Sequence, residues 1–113
     1  MLGRVVMSEF RVAFNALEWQ SGRPGMRFKL HRQGARQVRL VEFLNGDVAE
    51  HPCEEGHAGM VLAGGLDIDI GGEVVSFREG DGIVIPTGPS TAHRATMIIP
   101  GTRVLFVEDV GGS

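Results

Sequence analysis

Tyrosine is absent from the 113 residues, and cysteine and tryptophan occur once each. Without tyrosine, no phenolic hydroxyl is available to donate a proton or anchor a ligand. A lone cysteine excludes an intrachain disulfide, which fits a reducing compartment and makes a cytoplasmic protein the expectation. No apolar run approaches the roughly 20 residues of a membrane-spanning helix, so no membrane association is expected. The apolar stretch around Leu2, Val5 and Val6 is too short for a secretory signal. Met7 offers an alternative start of translation, which sets residues 1–6 apart from the fold. Charged residues are present in ordinary number, but they nearly cancel. A net charge of −3 is too small to steer association, and nucleic acid is not an expected partner. Arg32, Arg36 and Arg39 cluster loosely and read as a solvated strand face rather than a phosphate patch.

Glycine, by contrast, is abundant at 17 residues, with 5 prolines. Turn signals recur about every 8–12 residues, the mark of an all-β sandwich or barrel. Between them lie strand-like runs at 26–30, 38–44, 59–63, 66–70, 73–77, 83–85, 92–99 and 103–107. In Leu66-Asp67-Ile68-Asp69-Ile70 the alternation is strict, so the apolar residues should pack inward and the two Asp face water. Gly64-Gly65 predicts a sharp bend at a barrel rim. Residues 8–20 fit both a strand and a helical face, and the balance favours an irregular arm with Trp19 anchoring it to the barrel or to a second subunit. The expected organisation is an N-terminal arm over 1–25 and a barrel over 26–110.

The chemistry concentrates in His51-Pro52-Cys53-Glu54-Glu55-Gly56-His57. His51 and Cys53 share parity and project from one face of an extended backbone, and His57 can join them from the next strand. His93, after the turn around Pro86-Thr87-Gly88, is a fourth candidate ligand. Imidazoles suit Zn, Fe, Ni, Mn or Cu, and a thiolate shifts the preference towards Zn, Fe(II) or Cu. Four protein ligands would close the coordination sphere, whereas three would leave a position for chemistry; the sequence allows either. Away from a metal, Cys53 would be a small buried hydrophobe. Glu55 shares parity with His51 and Cys53 and is a candidate base or substrate contact, although its loop setting favours simple exposure. Thr91, Ala95 and Met97 share parity with His93, so a regular strand would place Thr91 and Met97 on the cavity wall. His31 has no partner motif and is given no role.

These motifs resemble those of the small single-domain cupins, RmlC-like proteins with a double-stranded β-helix, or jelly-roll, barrel. Met60-Val61-Leu62-Ala63-Gly64 aligns with the end of the first cupin motif, which places His51, Cys53 and His57 on its first His, second His and Glu. Gly80, Pro86, Gly88 and His93 match the second motif, with two extra residues between Gly88 and His93. The resemblance covers roughly residues 38–108 and implies an all-β fold with a divalent transition metal on His51, Cys53, His57 and His93. It also implies a small organic ligand or substrate and a homodimer, since exposed strand edges invite pairing. Cupins include dioxygenases, isomerases and non-enzymatic binders, so the expected function is metal-dependent action on, or binding of, a small molecule. The alternative is a non-catalytic sensing module with a closed His/Cys site. No substrate-anchoring arginine cluster is apparent along the sequence.

Overall fold

The computed structural model describes residues 10–109. The segment ahead of Met7 lies outside the described residues, as does the start of the expected arm. Apart from the first, which lies in the arm expected to be irregular, strands form where the alternation and the glycine punctuation place them: β1 (Gln20–Ser21), β2 (Met26–Gln33), β3 (Arg36–Phe43), β4 (His57–Ala63), β5 (Gly65–Ile70), β6 (Glu73–Arg78), β7 (Gly82–Ile85), β8 (His93–Ile98) and β9 (Arg103–Asp109). Short 3-10 turns at Phe14–Ala16 and Pro89–Thr91 are the described helical elements. The described part of the arm is therefore partly ordered, since β1 pairs with β2.

All pairings are antiparallel. One sheet has the order β1-β2-β3-β9-β4-β7 and the other β6-β5-β8, and the two close on each other as a jelly-roll barrel. Val41, Val61, Ile83 and Val104 from the large sheet meet Leu66 and Ile98 from the small one in a buried core. Leu66 and Ile68 are buried as their alternation requires, while Asp67 pairs with Arg78 and Asp69 accepts from the Gly72 N–H at the turn.

The chain passes from one sheet to the other at Gly64, whose φ is +75°. A Cβ there would lie 2.4 Å from Thr102 Oγ1, so both the dihedral and the close approach require glycine. Thr102 is fully buried and ties this corner together. Its hydroxyl accepts from the Gly65 N–H at 2.9 Å and has the Ile99 carbonyl at 2.6 Å to donate to.

Outside the barrel, the β2-β3-β9 register aligns Arg27, Glu42 and Arg103 in one cross-strand row. Glu42 is 8% exposed and accepts from Arg27 at 2.6 Å and from Arg103 at 2.9 Å. Burial pushes the Glu42 carboxyl up, and the hydrogen bonds from Arg103 and Arg27 outweigh this, so it ends below its usual value of 4.5. Trp19 lies over the same row, 4.1 Å from the Arg27 guanidinium and 4.8 Å from Lys29 Nζ, and Lys29 donates to the Phe14 carbonyl at 2.8 Å. The expected anchoring role of Trp19 thus has a physical basis in cation–π contacts to the barrel wall.

Two stability effects follow. Thr102→Val leaves the buried Gly65 N–H unpaired and should cost about 1–3 kcal/mol in denaturant unfolding; an unchanged midpoint would contradict the role given to this hydroxyl. Because the folded Glu42 pKa lies below the unfolded value, its stabilisation is present above pH 4.5 and lost as pH falls through the folded pKa. Glu42→Gln should therefore be destabilised at neutral pH, with the gap to wild type narrowing on acidification below 4.5. A gap independent of pH would refute the carboxylate's contribution.

Candidate metal centre and ligand cavity

Cys53, His57 and His93 bring one ligand atom each within 4.8 Å of one another. Backbone pairing holds two of them side by side: the Cys53 N–H donates to the His93 carbonyl and the His93 N–H to the Cys53 carbonyl, both at 2.8 Å. His57 opens β4, and its ring meets that of His93 edge-on with centroids 5.0 Å apart. The residues between Gly88 and His93 are taken up by the turn Pro89–Thr91, so the longer spacing does not carry His93 away from the other two. Cys53 is exposed rather than a buried hydrophobe. His51 is exposed and is not among the three.

The hydrogen bonds of each imidazole select its free nitrogen. His93 Nδ1 lies 3.1 Å from the Thr91 carbonyl, which can only accept, so Nδ1 carries the proton and Nε2 presents a lone pair. That Nε2 is buried with no partner. His57 Nδ1 lies 2.7 Å from Glu108 Oε2, a carboxylate that likewise only accepts, so its Nε2 is also the available donor. Two imidazole lone pairs and a thiol, with one buried nitrogen lacking any partner, make a set suited to a transition metal such as Zn, Fe(II) or Cu.

Glu108 is the residue that sequence reasoning missed. It stands on β9 opposite Gln37 of β3, which stands opposite Arg32 of β2. One polar row results. Arg32 Nη2 donates to Gln37 Oε1 at 3.1 Å, and Gln37 Nε2 donates to Glu108 Oε1 at 2.7 Å. Arg39 grips both Glu108 oxygens, at 3.1 Å and 2.8 Å. Burial pushes the Glu108 carboxyl up, but the hydrogen bonds from His57, Arg39 and Gln37 outweigh it and bring it down to about 2. The carboxylate is thus an anion across the working pH range, able to fix the ring of His57. Its inward orientation was readable from its parity with Val104 and Phe106, both buried.

This row lines a cavity of about 710 Å³ whose other lining residues include Met26, Phe28 and Leu30 of β2 and the Cys53 and His57 side chains. Glu55 also lines it, from an exposed loop position. Thr91 and Met97 do not. The Thr91 hydroxyl donates to the Pro86 carbonyl at 2.6 Å, which fixes the turn before His93. In β8 the register shifts where Asp67 and Ile68 face Met97 and Ala95, so Thr96 is inserted and the parity that linked Met97 to His93 is broken. Arg23, Arg32 and Arg39 all line the cavity, so Arg32 and Arg39 face it instead of forming, with Arg36, the solvated strand face expected from the sequence.

No family model matches the sequence. No curated protein matches it either. Solved structures do. KdgF from a Halomonas species is 25% identical with a TM-score of 0.72, over 89% of this chain and 92% of that one. A cupin-2 domain protein of Rhodospirillum rubrum is 15% identical with a TM-score of 0.70, over 97% and 79%. An RmlC-like cupin of Shewanella frigidimarina is 15% identical with a TM-score of 0.64, over 88% of each chain. The strand order, the paired sheets and these likenesses agree, and the chain has the fold of the small RmlC-like cupins.

Proposed function

We propose that the protein is a metal-binding cupin that takes a small organic molecule into the barrel beside the metal, with Cys53, His57 and His93 as the protein ligands. The observation that carries this reading is the unpartnered, buried Nε2 of His93 beside the other two donors. A buried imidazole nitrogen without a hydrogen bond costs stability unless something binds it. Bound there, Zn, Fe(II) or Cu would supply a Lewis-acidic centre with room for an external ligand.

The rest is done by the chain itself. Glu108 holds the His57 ring by its Nδ1–H and raises the donor strength of Nε2, the role an outer carboxylate plays behind a metal-bound histidine. Met26, Phe28 and Leu30 supply an apolar wall that displaces water from a bound molecule. With three donors gathered, and His51 apart from them, an open site fits better than the closed four-ligand site of a sensing module. An expected homodimer remains part of this reading, supported by the exposed edge strand β7, on which Val84 is 83% exposed.

Zinc titration of metal-depleted protein should give about one equivalent per chain. Cys53→Ser and His93→Ala should each weaken binding by more than about tenfold, and Glu108→Gln by about 10–100-fold at unchanged stoichiometry. In the cobalt-substituted protein, Cys53→Ser should abolish the thiolate-to-metal charge-transfer band. Wild-type affinity in His93→Ala would remove the basis of the proposal.

A further inference from the structure

Six charged side chains line the cavity: Arg23, Arg32, Arg39, Glu55, Glu108 and Asp109. Their pairing is uneven. Arg39 is committed to Glu108 by two hydrogen bonds, and Asp109 pairs with Arg36 at 3.2 Å. Among the described residues, Arg32 has only a neutral partner, the Gln37 amide oxygen at 3.1 Å. Arg23 likewise donates only to the Asp47 carbonyl, at 3.2 Å, with its guanidinium 5.8 Å from the Phe43 ring centre.

Arg32 is set apart by its place in the sheet. It occupies the same cross-strand row as Gln37 and Glu108, and Glu108 contacts His57, so its guanidinium stands on the cavity wall in line with the candidate metal ligands. Along β2 the same face continues through Leu30, Phe28 and Met26. A ligand between the donors and this strand therefore meets an apolar wall ending in a guanidinium without an anionic partner. Guanidinium pairs with a carboxylate through two parallel N–H donors, and such pairing strengthens where neighbouring apolar surface excludes water.

We propose that the cavity selects a small organic acid, with Arg32 receiving its carboxylate and Met26, Phe28 and Leu30 receiving its apolar body. This deepens the small-molecule reading and rests on it for the choice of cavity, but not on the metal. Glu55, the lining carboxylate with no ion pair among the described residues, opposes the ligand's charge from its exposed loop position. It therefore tunes affinity in the direction opposite to Arg32.

The test compares benzoate with benzamide, a neutral molecule of nearly the same shape, by backbone amide NMR titration of metal-depleted and zinc-loaded protein. In both forms benzoate should shift the Leu30 to Gln33 resonances saturably and bind at least about tenfold more tightly than benzamide. Arg32→Gln, at an exposed strand end, should remove that preference while the variant still takes up about one zinc per chain. Glu55→Gln should tighten benzoate about two- to threefold and leave benzamide unchanged. Equal binding of the two probes, an undiminished preference in Arg32→Gln, or no saturable shift for either would overturn the proposal. Because zinc binding is read on the same samples, loss of the charge preference and loss of the metal site are separate results.

Discussion

The Glu108 carboxylate is the group around which the site is arranged. Removing an ion from water costs several kcal/mol even in a relaxed protein, so a carboxylate with a side chain only 10% exposed must be met on every side. Gln37, the two-pronged Arg39 and His57 meet it. Each comes from a strand that pairs beside β9, because β3 and β4 flank it in the large sheet. The ion therefore ties three strands together at the end of the barrel where the candidate ligands gather. It also settles the tautomer of His57, and through it the nitrogen that faces Cys53 and His93. Removing the carboxylate would leave a half-buried guanidinium and an unfixed imidazole, which is why the strand register and the donor set are coupled.

The opposite face of the same sheet shows the same device in a different use. The Arg27–Glu42–Arg103 row neutralises its charges in the same alternating manner, but outside the barrel and under Trp19. There the row joins the arm to the wall. Inside, the row through Arg32, Gln37 and Glu108 ends on a histidine instead of a second arginine, and that substitution of partners puts the brace behind the candidate metal ligands.

Much of the fold was legible because period-two alternation and glycine punctuation report directly on extended backbone and on corners. Leu66, Ile68 and Ile70 against Asp67 and Asp69 fixed a face, and Gly64 marked the change of sheet. The donor set was legible in part, since Cys53 and His57 lie close along the chain, while His93 needed the second motif. The inward row was legible only at Glu108, through its parity with Val104 and Phe106. In β3 both faces are apolar, with Val38 and Leu40 on one side and Val41 and Phe43 on the other, so alternation could not say that Arg39 points into the barrel. The position of Met97 was misread for a related reason: a bulge at Thr96 shifts parity by one, and nothing local announces it. His51 shares parity with Cys53 along the chain, but parity holds only for continuous strand, and Cys53 forms an isolated bridge rather than part of one.

The measurement that bears most directly on the metal centre is X-ray absorption fine structure at the zinc edge of the loaded protein. One sulfur at about 2.3 Å and two imidazole nitrogens at about 2.0–2.1 Å, completed by an oxygen from water, is the coordination expected of Cys53, His57 and His93. A spectrum without sulfur, or one saturated by a sulfur and three imidazoles, would contradict an open three-ligand site.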